Sequence, residues 1–247
     1  GWSADYVALY NEKGGTIDMQ GWVTLTNQTG TTFHQADTVL VAGAPATAGD
    51  ASSGGGRGFG DRGMTRAGTE AASRERLGDF YLYPISARTT VANAQTKQVS
   101  FLDVKAAPAR STYEFNNGWL ASNDAVSAAS VLKFSTSRGG GLGDQLPAGT
   151  MRVYMRDKRG DPQFIGESQI EATPMGSAMS IRTGEAFDVK VKTVVEERTR
   201  ISSNRWKTRM RYEITNARNN AITVDLGQNG LWGDVRITEQ SQEGKRI

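Results

Sequence analysis

The sequence predicts an all-β protein: two β-sandwich-like domains of mostly antiparallel strands, interrupted by one long Gly-rich insertion. Three observations carry that prediction. The stretch Arg205 to Ile214 alternates charged side chains with apolar or uncharged ones at every second position. Successive side chains of a strand point to opposite faces, so Arg205, Lys207, Arg209, Arg211 and Glu213 share the wet face and Trp206, Thr208, Met210, Tyr212 and Ile214 the buried one. Clusters of Gly, Asn, Asp and Pro recur between short runs of β-formers. No segment carries a sustained helical repeat, and Asn123 to Ala129 is the one short helix candidate.

Taken in order, Tyr6 to Tyr10 is the first strand, and Asn11-Glu12-Lys13-Gly14-Gly15 turns it into Thr16 to Asn27, making a hairpin. Asn27 to Gly30 is the next turn and Thr38 to Val41 the next strand. Phe80 to Tyr83, stopped by Pro84, and Lys97 to Val104 resume the pattern and are expected to pair with the earlier strands. Val131 to Phe134 and Met151 to Met155 follow. Asp157-Lys158-Arg159-Gly160-Asp161 is a strong hairpin turn into Gln163 to Ile165. Thr183-Gly184 marks a boundary. Beyond it the strands are Ala186 to Val194, Trp206 to Thr215, Ala221 to Leu226 and Val235 to Thr238, with turns at Ser202 to Asn204, Asn216 to Asn220 and Gly227 to Gly230. The domains are therefore expected at 1–183 and 184–247, the second Ig-like and incomplete at its C-terminal end.

From Ala42 to Arg76 the composition changes to nine Gly among many Ala and Ser. Such a stretch buries too little apolar surface to offset chain entropy, so about 43–76 is expected to be a flexible insertion. Gly58-Phe59-Gly60-Asp61-Arg62-Gly63 inside it matches the dinucleotide-binding pattern letter for letter. That pattern needs a strand before it and a helix after it. Glycines flank it instead, so it reads as linker and no cofactor is expected.

The 247 residues include no Cys, which removes disulfides, thiolate metal sites and thiol nucleophiles. No apolar run approaches the roughly 18 residues needed to span a bilayer as a helix. The chain starts at Gly1, not Met, and reads as a processed or excised piece. Net charge is +3, and the excess lies late: residues 1–184 hold 17 basic and 17 acidic side chains, and 185–247 hold 12 and 9. Basic residues there alternate with Asp188, Glu196, Glu197 and Glu213, so cross-strand pairing is the plainer reading and a nucleic-acid or anionic-polymer surface the weaker one.

Candidate chemistry is sparse. His34 is the only histidine, so three-His zinc and two-His iron sites are excluded, and its turn-side position reads as surface. Asp79, Asp103, Asp124, Asp157, Asp161, Glu167 and Glu171 include candidates for a glycosidase pair, yet each also reads as a turn or strand-surface acid. The loop Asp157 to Asp161 lacks EF-hand spacing, so no metal is expected. Of five tryptophans, Trp206 reads as core. Trp119, in Asn116-Asn117-Gly118-Trp119, and Trp232, in Gly230-Leu231-Trp232-Gly233, sit in turn-like contexts and are the two ligand or partner candidates, although core packing is the plainer reading for both.

Five ordered motifs carry a family resemblance: Trp2 to Tyr6; Leu77 to Pro84 with Gln95 to Val99; Gly141 to Gly143 with Leu146 to Gly149; Phe164 to Glu167; and Gly184 to Asp188. Together they resemble the C-terminal region of the family known as domain of unknown function 4139, over nearly the whole chain. The resemblance implies a secreted or envelope-associated bacterial β protein (periplasmic, outer-membrane-associated or extracellular), in a family whose members are sometimes labelled mucoidy inhibitors. It also implies that the segment stops short of a final strand, leaving an edge open to strand addition. The expected function is non-enzymatic, by protein binding or self-association through edge strands. The alternative is a carbohydrate-binding module or glycan hydrolase, favoured if Trp119 or Trp232 is exposed and coplanar.

Overall fold

A computed structural model of the chain describes residues 1–42, 64–66, 76–77, 80–85 and 88–241. The fold is all-β, and no described residue is helical. Its strands are β1 Trp2–Asn11, β2 Thr16–Thr26, β3 Phe33–Ala36, β4 Val39–Ala42, β5 Met64–Arg66, β6 Arg76–Leu77, β7 Phe80–Pro84 and β8 Thr89–Val91. They continue as β9 Thr96–Gly118, β10 Asn123–Ser135, β11 Gly149–Arg156, β12 Pro162–Ile170, β13 Ala178–Ser202, β14 Arg205–Asn216 and β15 Val224–Asn229. The main sheet runs in the order β12-β11-β1-β2-β9-β10-β13-β14, with β15 on β9 and β5 on β13; β3-β8 and β4-β7-β6 form two small sheets.

The chain divides into two compact units that are not consecutive segments: Gly1–Thr112 with Ser130–Gly184, and Tyr113–Ala129 with Glu185–Ile247. Residues 113–129, assigned from sequence to the first domain, thus belong with the second. The reason is strand length, because β9, β10 and β13 each contribute residues to both units. In β13 the passage is at Gly184, whose φ of +152° is extended backbone of a kind that side-chain-bearing residues rarely adopt.

In the first unit the expected hairpin is present, β1 antiparallel to β2 with Tyr6 opposite Gly21. Ala4, Tyr6, Ala8 and Tyr10 point inward at every second position and meet Ile17, Met19 and Val23, all buried. The Tyr6 hydroxyl donates to the Pro147 carbonyl at 2.6 Å, so that buried phenol is satisfied. β7 pairs with β4 and β9 with β2 across the insertion, as expected. At Ala106 (φ +52°) β9 bulges, and the Asp18 carboxylate accepts the displaced Ala106 N–H at 2.8 Å. Asp157 organises the β11–β12 turn by accepting the N–H groups of Arg159 and Asp161 at 2.9 and 3.1 Å. These bonds, led by that from Asp161, hold its carboxyl below the usual range.

Several expectations are corrected. Asn123–Ala129 is part of β10, because ladder pairing in a sheet overrides the helix propensity of an Ala-rich run. Val235 to Thr238 forms no strand. The strand expected at Ala221 to Leu226 is Val224–Asn229, the last among the described residues, and it takes in Gly227, which the sequence reading placed in a turn. Within the Gly-rich stretch, β5 pairs with Ala178–Ser180 of β13; the dinucleotide-like motif lies outside the described residues.

Candidate ligand-binding surface

The second unit has a small core. Tyr113, Phe115, Ala128, Ala186, Val189 and Val191 are buried, with Tyr212, Ile222 and Val224 packed against them. A polar network does much of the remaining ordering. Asn117, 1% exposed, donates to the Ala121 carbonyl at 3.3 Å and to Gln228 Oε1 at 3.1 Å, and its Oδ1 accepts from Asn123 Nδ2 at 2.9 Å. Gln228 Oε1 also accepts the Tyr212 hydroxyl at 2.6 Å, and its Nε2 donates to the carbonyls of Asn117, at 3.2 Å, and Trp119. Asn123 reaches Thr193 Oγ1, which donates to Ala121 O at 3.0 Å. A buried amide joined in this way, Asn117, holds its half-buried and exposed partners Gln228 and Asn123 in one arrangement, since breaking its bonds would strand a desolvated group. Burial pushes the Tyr212 phenol above its ordinary value, against an opposing contribution from the Asn117 amide.

That network holds a backbone register which brings the two candidate tryptophans together. β15 runs parallel to β9, with Val224 opposite Tyr113 and Asn229 opposite Gly118. Parallel strands leave at the same end, so the residues that follow them emerge side by side. Trp119 N–H donates to Asn229 O at 2.8 Å, and Gly230 (φ +73°) then turns the chain into Leu231-Trp232-Gly233. A Cβ on Gly230 would lie 3.3 Å from Trp119 N, and one on Gly227 only 2.0 Å from Asn116 Oδ1. The atom met at position 227 is the end of the exposed Asn116 side chain, which can swing aside, so it is the left-handed turn at Gly230 that favours glycine here.

The rings of Trp119 and Trp232 lie 6.4 Å apart between centroids and within 15° of parallel. They are 45% and 81% exposed, so neither is a core residue, which corrects the plainer sequence reading. Trp119 also adopts φ +60°, a left-handed conformation that is an outlier for a bulky residue and costs roughly 1–2 kcal/mol. The hydrogen bonds from Gln228 and to Asn229 maintain it. The arrangement offers a stacked, exposed indole pair on a braced turn, its rings parallel but stacked against each other, not coplanar, and Asn116 and Asn229 on the adjoining strands are exposed as well.

The remaining candidates are scattered. His34 is exposed. Asp103 pairs with Lys105 at 3.5 Å, Glu167 with Arg152 at 3.3 Å, and Asp161 with Arg159 at 3.6 Å. Asp124 and Glu171 are exposed, and Asp79 lies outside the described residues. Among the described residues, no three His, Cys, Asp or Glu side chains cluster as metal ligands, and no helix is long and apolar enough to cross a membrane. Trp206 is 58% exposed, correcting its assignment to the core: its alternation sets the face, but that face is uncovered at the hairpin tip. Thr208, Met210 and Tyr212 on the same side are partly buried, but Ile214 is 46% exposed, so the expected buried face is covered only along the middle of the strand.

Sequence signals for the site were the glycines around both tryptophans. The roles of Asn117 and Gln228 left none, since an amide that bridges distant strands looks like any other until its partners are known. Comparisons with protein-family models, with curated proteins and with solved structures found no match to this chain.

Proposed function

We propose that this is a non-enzymatic binding protein whose second unit holds a carbohydrate on the Trp119–Trp232 surface. One observation carries the reading: two exposed, nearly parallel indoles stand on a turn braced by a partly buried hydrogen-bond network. A pyranose with equatorial substituents has an apolar face of C–H bonds that stacks on an indole, while its hydroxyls need amide partners such as Asn116 and Asn229. Large rigid aromatic area lost to water on binding, with little side-chain entropy to lose, is an economical source of affinity. The family resemblance supports a place in the bacterial envelope or outside the cell, where polysaccharides are abundant.

A second reading, strand addition to β14, is favoured by its position at the end of the main sheet and its twelve-residue length. Antiparallel pairing of two copies centred on Arg209 would set Arg209 against Arg209 and Lys207 against Arg211, so in that register a second copy fits poorly and an acidic strand fits better.

Titration calorimetry with soluble N-acetylglucosamine and glucan oligomers tests the main reading. Trp119→Ala and Trp232→Ala should each weaken binding by about tenfold or more. Failure of every oligomer to bind, or binding indifferent to both substitutions, would refute it. Release of new reducing ends would refute its non-enzymatic part.

A further inference from the structure

We infer that the tip of the β13–β14 hairpin is a docking element for an anionic lipid bilayer. Between Glu197 and Glu213 the chain carries six basic residues and no acidic one: Arg198, Arg200, Arg205, Lys207, Arg209 and Arg211. Three are engaged elsewhere. Arg211 pairs with Glu196 at 2.9 Å and Glu213 at 2.7 Å, Arg209 with Glu197 at 4.0 Å, and Arg198 donates to the Leu120 carbonyl. The cations nearest the turn, Arg200, Arg205 and Lys207, have no acidic partner among the described residues.

Apolar surface sits among those cations. Ile201, at a bulge in the ladder, and Trp206 are each 58% exposed. The Arg200 guanidinium lies 5.7 Å from the Trp206 ring centroid and donates to the carbonyls of Ser202 and Ser203 at 3.1 and 3.2 Å, so indole and cation are held together at the turn. Arg200 is directly opposite Trp206 and shares its face, whereas Arg205 and Lys207 point to the other side. The tip therefore carries an apolar wedge with positive charge on both of its faces.

A bilayer uses all of these features when approached tip first. Indole and the aliphatic Ile201 side chain enter the interface between headgroup and acyl chain, and the flanking cations reach lipid phosphates. A nucleic-acid backbone uses the cations and could stack the indole, but leaves Ile201 in water. Charge complementarity together with the exposed aliphatic side chain favours the membrane surface.

Co-sedimentation of the whole chain with vesicles tests this. Phosphatidylcholine vesicles containing phosphatidylglycerol should retain the protein, and pure phosphatidylcholine vesicles should not. Each cation near an anionic surface contributes roughly fivefold, so Arg205→Gln with Lys207→Gln should weaken binding roughly 25-fold, and added salt should do likewise. Trp206→Ser should weaken binding to anionic vesicles without changing the thermal melt, which controls for folding. Equal retention by neutral vesicles, no retention by either, unchanged binding of the double variant, or tighter binding to a single-stranded oligonucleotide at the same salt would each overturn the inference. Saccharide binding at Trp119 and Trp232 is read separately, so either proposal can fail alone.

Discussion

Replacing Asn117 by Ala should disorder the Trp119 turn and destabilise the second unit together. The Asn117 side chain makes three hydrogen bonds, to Ala121 O, to Gln228 Oε1 and from Asn123 Nδ2. Each contributes about 0.5–1.5 kcal/mol net, so their loss sums to about 1.5–4.5 kcal/mol. Partners soften the loss, because Gln228 Oε1 keeps Tyr212, and Asn123 and Ala121 keep Thr193. About 3 kcal/mol, the centre of the range, lowers Tm by roughly 6–12 °C in a chain of this size. Asn117→Asp separates hydrogen bonding from cavity formation: it keeps the volume but turns a carboxylate oxygen toward the Ala121 carbonyl and Gln228 Oε1. It should therefore be at least as damaging as Asn117→Ala. Thermal melts followed by near-ultraviolet circular dichroism report both stability and tryptophan environment. A Tm change of under about 1 °C for Asn117→Ala, or a wild-type tryptophan signal in a folded Asn117→Asp protein, would refute the view that this amide braces the surface.

Three further outcomes follow from the same physics. Gly166→Ala places a Cβ 2.1 Å from the Thr183 carbonyl oxygen, so β12 and β13 must separate; urea unfolding should show at least about 2 kcal/mol lost, against almost none for Gly139→Ala, which meets nothing within 4 Å. Gln145 is fully buried with neither side-chain polar atom hydrogen-bonded, so Gln145→Met should raise stability by about 1 kcal/mol, and a clear loss in calorimetry would show that the amide is satisfied after all. The folded state holds the Tyr212 proton to higher pH than the unfolded chain does, so this group's stabilisation is complete below about pH 10 and is lost as pH rises through its elevated value. Tyr212→Phe should flatten that part of the stability curve, and a slope unchanged from wild type would contradict the assignment.

Local rules made several elements legible in the sequence. The β1–β2 hairpin, the Asp157 turn and the β13–β14 hairpin each join neighbouring segments through turn residues that specify register. The parallel pairs were not legible: β1 with β11 and β15 with β9 join residues more than a hundred positions apart, and no turn announces them. The site depends on one of them. Glycines marked Trp119 and Trp232 as turn residues, but only the Asn229–Gly118 register makes them neighbours. Trp206 illustrates a related limit. A period of two assigns a side chain to a face, and whether anything covers that face is decided by strands distant in sequence.

Indole N–H resonances give the most direct reading of the central claim. The five tryptophans yield five signals, assignable by single substitutions. On titration with N-acetylglucosamine or glucan oligomers, the signals of Trp119 and Trp232 should move saturably and together, while those of Trp2, Trp22 and Trp206 stay in place. Stationary Trp119 and Trp232 signals throughout, or movement confined to the other three, would contradict the account.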